Sequence, residues 1–295
     1  MTMLRRTRSA LPGVVMSAPA IIMFGLLMIV PLALSVYLSF TNWNGYSAHP
    51  MGVGLANYRR LWHDPEVLHA AWVTGVLAVV GTIGCNALGL GAAVAISRPG
   101  KANRIFRAVF FYPYVISALI IGFLWSAILS NGGVINNYLT SHGHEALPFL
   151  SDPDWALGSL IFVVLWSGFG LTMVLYIAAL QTVPASLIEA ARIDGASPWA
   201  IFRQVTMPSI APFVTVNLVL VLVSMMRVYE LVLALTGGGP AGQTQTAAYL
   251  ILGQSFQNNA LGYGSAQAVI LTVVTGALAL GLTTLLRRRE TAVAA

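Results

Sequence analysis

Apolar residues in this chain come in long, nearly unbroken runs, not in the strict alternation of a half-buried strand or the spaced stripe of a surface helix. Six runs reach the ~20 residues that a helix needs to cross the hydrocarbon core of a bilayer. They cover about Val14 to Phe40, Ala70 to Ser97, Ala108 to Leu129, Ala156 to Leu180, Pro212 to Leu235 and Ser265 to Leu286. The pattern predicts an all-α membrane protein: a six-helix domain over 14–286 with tails at 1–13 and 287–295. Runs two and six hold several Gly, Ala, Ser and Thr residues, which let neighbouring helices approach closely. Near the start, Arg5, Arg6 and Arg8 precede the first run, and Ser17-Ala18-Pro19-Ala20 resembles a signal cleavage site. The run continues about twenty residues beyond it, too far for a signal h-region, so an uncleaved first span is expected.

Composition removes the soluble alternatives. Only 8% of residues are charged and 57% are hydrophobic, whereas a soluble domain carries about 25% charged residues. A net charge of +6 fits nucleic acid or a membrane surface, and a mean hydropathy of +0.79 selects the membrane. The single Cys85 excludes an internal disulfide and a cysteine-based zinc site.

The few charges orient the chain. Twelve of the fifteen basic residues fall on one side of a six-crossing arrangement: Arg5, Arg6, Arg8, Arg98, Lys101, Arg104, Arg107, Arg192, Arg203, Arg287, Arg288 and Arg289. Opposite them lie only Arg59 and Arg60, beside Asp64, Glu66, Glu145, Asp152 and Asp154. The positive-inside rule then puts both termini in the cytoplasm, and an odd number of crossings destroys the segregation.

Between runs four and five, the stretch 181–211 has unusual punctuation. Pro184 suits a first helical position, and Leu187 to Ile193 reads as a short helix ended by Gly195. Ser197-Pro198 restarts a helix, Trp199, Phe202 and Val205 follow at three-residue spacing, and Pro208 ends the segment. Such a clip either packs against its own bundle or protrudes as a short helix that docks on a soluble partner. Elsewhere, 54–62 reads as a short amphipathic helix at the membrane surface, Asn131 to Trp155 as a loop, and Thr236-Gly237-Gly238-Gly239-Pro240 as a strong helix stop.

The clip is similar to the signature of the membrane permease subunits of binding-protein-dependent ABC importers, EAA-x3-G-x9-I-x-L-P. Here Glu189-Ala190-Ala191 is followed by three residues, Gly195, nine residues and Val205-Thr206-Met207-Pro208, with valine and methionine as the only departures. The stretch from Glu189 to Ala200 resembles the carbohydrate branch in particular. So do Leu55-Ala56-Asn57-Tyr58, Phe149-Leu150-Ser151-Asp152-Pro153 and Leu235-Thr236-Gly237-Gly238-Gly239-Pro240, the last resembling the first of two paired permeases, as in maltose and glycerol-phosphate importers. The resemblance implies a heterodimer with a second permease, two ATP-binding subunits and an extracytoplasmic solute-binding protein, all within membrane lipid and without nucleic acid. It also implies that Glu189, Ala190, Ala191, Arg192, Asp194, Gly195 and Pro208 receive the ATPase. No G-x-x-x-x-G-K-[ST] loop is present, so the chain itself is expected to be non-catalytic and to need no cofactor; ATP and Mg belong to the partner subunits.

Run five contains two charges, Arg227 and Glu230, costly at membrane depth. At i and i+3 they share a helix face and form either a structural ion pair or the wall of a solute path, roughly 5–9 Å outward of the midplane. Asn217, Ser224, Tyr229 and Trp125 are the further candidates for that path. Tyr112, Tyr114 and Trp166 are stacking candidates too, although aromatics near span ends commonly anchor the interface. Asp152-Pro153-Asp154 without a supporting cluster does not make a glycosyltransferase metal site, and the five histidines lie in outer loops or at a span edge, away from an intramembrane serine. A permease for a non-sugar solute and a secondary transporter are the remaining alternatives. The latter is disfavoured because no pair of interrupted spans is evident.

Overall fold

The computed structural model describes residues 16–294, excepting the side chains from 289 onward. Arg5, Arg6 and Arg8, the tail 1–13 and the Arg289 side chain therefore lie outside the described residues. Among the described residues, six helical stretches are long and apolar enough to cross a membrane: Met16–Leu38, Pro65–Ile96, Ala118–Ser141, Pro153–Gln181, Pro198–Met226 and Leu261–Arg288. Among the described residues the only β pairing is an isolated bridge between Thr41 and Gly52. We number the helices α1 (Met16–Leu38), α2 (Ala56–Leu61), α3 (Pro65–Ile96), α4 (Lys101–Val115), α5 (Ala118–Leu129), α6 (Val134–Ser141) and α7 (Pro153–Gln181). The series continues with α8 (Ala185–Ile193), α9 (Pro198–Met226), α10 (Glu230–Leu235), α11 (Ala247–Leu252) and α12 (Leu261–Ala294). Ser17–Ala20 lies within α1, inside a helix that continues to Leu38.

The chain divides into two compact units, one reaching Trp62 and including Ile251–Ile270, the other holding His63–Leu250 and the chain from Leu271 onward. In the first, the Asn57 amide donates to the carbonyls of Ser39 (2.9 Å) and Thr41 (2.8 Å), just past the end of α1. The hydroxyls of Tyr58 and Ser39 share a 2.7 Å bond, and the Arg60 guanidinium sits 4.1 Å over the Tyr263 ring. Asn57 of the Leu55–Tyr58 element thus satisfies carbonyls that a helix end leaves without partners, and Tyr58 holds the Ser39 side chain beside them.

In the second unit, α7 is the central post. α3 packs along it through small residues: a Cβ on Gly89 would strike Thr172, and one on Gly84 would strike Leu165. α4 crosses α7 where Gly170 meets the Phe110 carbonyl, and α5 meets α10 where Gly122 faces Ala234 and the Leu231 carbonyl. Close helix approach at small residues is the usual packing device in membranes, where burial against water is not available as a driving force. Around these contacts lies an apolar core that includes Val73, Leu77, Leu160, Val163 and Val232.

Four expectations change. The run Ala108 to Leu129 is not one helix: α4 ends at Val115, Ile116 is extended (φ −77°, ψ 141°), and α5 begins at Ala118. Pro113 lacks a backbone donor and crowds the preceding turn, and the helix ends two residues beyond it. The run Pro212 to Leu235 is also broken, with α9 ending at Met226 and α10 starting at Glu230. Pro208 does not end the clip, because helix continues through it after a π turn over Phe202–Thr206 that absorbs the register change. Finally, the stretch from Asn131 to Trp155 contains α6, pinned by Asn136, which donates to the Leu147 carbonyl at 2.9 Å and accepts from its N–H at 2.8 Å.

Candidate functional site

The two helix breaks face one cavity of about 530 Å³. Pro113, Tyr114 and Ile116 come from the first break, Arg227, Tyr229 and Glu230 from the second. Val164, Ser167 and Gly168 of α7 close the wall between them. Ser167 lies at the middle of the 29-residue α7, roughly 21 Å from either end at 1.5 Å per residue, so the cavity is central to the span. Irregular backbone at such depth is tolerated only where it is buried in protein or lines a polar cavity. Both conditions appear here: the Val228 carbonyl, freed by the break, accepts from the Thr246 hydroxyl at 2.7 Å, and the charged ends face the cavity.

The candidate path residues separate in this geometry. Ser224, Arg227, Tyr229 and Glu230 all line the cavity. Arg227 closes α9 and Glu230 opens α10, so they flank a break and do not share a helix face, and neither side chain is buried in the chain. The placement 5–9 Å outward assumed a continuous helix, and the break between Met226 and Glu230 removes that assumption. Asn217 is elsewhere, fully buried, donating to the Thr172 carbonyl at 3.4 Å in a polar seam where the Tyr176 hydroxyl donates to Asn86 at 2.6 Å. Trp125 lines a different cavity, about 560 Å³, with Phe149, Trp155 and Phe162, and packs edge-on against Phe162 and Trp166. Tyr114, ranked low among the stacking aromatics, and Ser167, not taken as a path residue, both line the cavity; Pro113 within an apolar run, flanked by Tyr112 and Tyr114, was the available signal.

The clip is built as a helix, a glycine turn and a second helix. Pro184 is the residue before α8 and not its first. At the other end Gly195 (φ +79°) and Ala196 return N–H groups to the carbonyls of Arg192 (3.1 Å) and Ala191 (3.0 Å), the closed turn that a left-handed glycine permits. The Ser197 side chain then caps α9 by accepting from Ala200 N–H at 3.2 Å. Ile188 turns inward onto Ala179, Val183 and Ile210, rooting α8 at the base of α7 and α9. Glu189, Ala190, Arg192 and Asp194 are exposed, as are Leu187, Ile193 and Trp199. Such an apolar, partly charged face has no cover among the described residues.

Residues 86–291 match the family described as binding-protein-dependent transport system inner membrane component. The chain belongs to this family. Among its relatives, a probable starch degradation products transport system permease protein of Thermoanaerobacterium thermosulfurigenes is 32% identical over 92% of this chain and 93% of its own length. A multiple sugar-binding transport system permease protein of Streptococcus mutans is 31% identical, with 84% and 90% covered. An sn-glycerol-3-phosphate transport system permease protein of Brucella abortus is also 31% identical, with 88% and 89% covered. A chain of a bacterial ABC transporter that imports alginate superposes with a TM-score of 0.83 over 98% of this chain and 99% of that one, at 22% identity, which establishes likeness of fold.

As a multi-pass permease of this family, the protein explains its broken helices. The interruptions absent from the sequence pattern are present in the structure, so that criterion does not separate it from a secondary transporter, whereas family membership does. The remaining family-like elements prove to be local locks: Asp152 caps α7 by accepting from Asp154 and Trp155 N–H groups at 2.9 and 3.3 Å, with Pro153 following. The loop from Thr236 is closed by the Thr244 hydroxyl, which bonds the Thr236 hydroxyl and the Gly239 carbonyl, both at 2.7 Å.

Proposed function

We propose that this permease carries a sugar or sugar derivative into the cell as one half of a heterodimer. An extracytoplasmic binding protein delivers the solute, and two separate ATP-binding subunits supply the energy. The termini face the cytoplasm, which puts the clip on the ATPase side of the inner membrane. Glu189, Ala190, Ala191, Arg192, Asp194 and Gly195 form the docking surface there, with Pro208 beyond it in the helix that connects the clip to the cavity. ATP-driven movement of the docked clip then tilts α9 and alternates access to the cavity. The chain provides a passage and binds neither nucleotide nor metal in this scheme.

The cavity carries the substrate reading. It sets the carboxylate of Glu230, the guanidinium of Arg227, the hydroxyls of Ser224 and Ser167 and the ring of Tyr229 around one space. Acceptors, donors and an aromatic face in one pocket suit a polyhydroxylated ring, which needs both kinds of hydrogen bond at once. Relatives named for starch degradation products, multiple sugars and glycerol phosphate support the same class.

The test begins with the cognate binding protein, screened for thermal stabilisation against sugars, sugar phosphates, amino acids and peptides. The stabilising compound is then followed into proteoliposomes containing the full transporter. Stabilisation by a sugar with ATP-dependent uptake is the expected result. Stabilisation by amino acids or peptides alone overturns the substrate class.

A further inference from the structure

The break between α9 and α10 has no glycine or proline to enforce it: its residues are Arg227, Val228 and Tyr229. What holds it comes from the loop that follows α10. Thr246 donates its hydroxyl to the Val228 carbonyl at 2.7 Å, and the same oxygen accepts from Tyr249 N–H at 3.3 Å. The Tyr249 ring lies 6.1 Å from the Tyr229 ring, and its hydroxyl donates to the Gly237 carbonyl at 2.8 Å. Gly238, at φ +82°, leaves room for that ring, since a Cβ there would come within 2.8 Å of it. Next to Thr246, Ala247 N–H donates to the Thr74 hydroxyl of α3 at 2.8 Å, so the loop end is fixed to a spanning helix.

We propose that Thr246 and Tyr249 are positioning residues of the transport reaction, holding the Arg227–Tyr229 break in the shape that lines the cavity. Neither is among the cavity-lining residues, and each acts through one that is: Thr246 through Val228, Tyr249 through Tyr229. The loop carrying Gly237 to Gly239 thereby sets the wall of the cavity. Changes in that loop reach the solute through two defined contacts. This inference rests on the cavity being the solute path.

The experiment uses the assembled transporter with Ser224→Cys as reporter, because Ser224 is exposed in the cavity wall while the native Cys85 is fully buried. The probe is 2-sulfonatoethyl methanethiosulfonate, a small water-soluble thiol reagent, and wild type supplies the blank. Thr246→Val removes the hydroxyl donor at near-constant volume. Tyr249→Phe keeps the ring and removes its bond to Gly237, and so serves if the first variant does not assemble. Each is expected to raise the labelling rate at position 224 roughly fivefold, as the loss of one net hydrogen bond allows, while Cys85 stays unlabelled and the ATPase still co-purifies. Thr246→Ser, which keeps the donor, is expected to restore the parent rate. Parent labelling rates in both Thr246→Val and Tyr249→Phe overturn the proposal. Uptake of the sugar found by the binding-protein screen separates the two levels. If Glu230→Gln leaves that uptake unchanged, the path reading itself fails; if Glu230→Gln impairs it while the loop variants label like the parent, only the positioning role fails.

Discussion

Glu230 and Asn217 looked equivalent in the sequence, two polar residues on one apolar run. In the fold one faces a cavity and the other is sealed in a polar seam, so opposite outcomes are expected of them. Glu230→Gln keeps shape and removes the charge, and should cut uptake at least tenfold while co-purification of the ATPase is unchanged. Equal loss of uptake and assembly instead assigns Glu230 a structural role. Asn57 is structural from the outset. Its replacement by alanine strips the partner from carbonyls of two buried residues, Ser39 and Thr41, at a cost of about 2 kcal/mol or more. Asn57→Asp, which cannot donate, should lower the temperature of aggregation in detergent as far as Asn57→Ala does.

At the scale of elements, two glycines of α3 test the packing. Gly89 is pressed against Thr172 and the Met173 backbone, whereas a Cβ at Gly91 meets nothing within 4 Å. Gly89→Ala should therefore reduce accumulation in the membrane, because the helices must separate to admit one methyl, and Gly91→Ala should accumulate as wild type does on immunoblots. The clip admits a similar contrast. Around Gly195 there is open space, so a side chain there clashes with nothing in the chain, and only its positive φ is costly, at about 1 kcal/mol. Gly195→Ala should retain the ATPase through co-purification and Gly195→Trp should lose it; retention by both would remove the docking role of α8.

For the whole molecule, charge segregation is the strongest statement about orientation. Reporter fusions after Arg288 and within the stretch Ser141–Glu145 should read cytoplasmic and extracytoplasmic respectively. A shared location breaks the six-crossing arrangement.

What the sequence determined by itself was whatever depends on local order along the chain. Run length gave six spans, and Gly195 with Ser197-Pro198 gave the clip, since a left-handed turn and a capped helix start need only their own residues; lysine and arginine positions gave the orientation that the reporter fusions test. The α4–α5 break was half legible: Pro113 marked it, but the apolar run through Ile116 hid it. The α9–α10 break was not legible at all. Nothing in Arg227-Val228-Tyr229 disfavours a helix strongly, and the hydroxyl that satisfies the freed Val228 carbonyl is eighteen residues away in sequence. Periodicity reports which side chains can share a face and says nothing of which distant groups arrive to satisfy a backbone. Tertiary structure alone therefore decided where the cavity lies, and which of the chain's few charges line it.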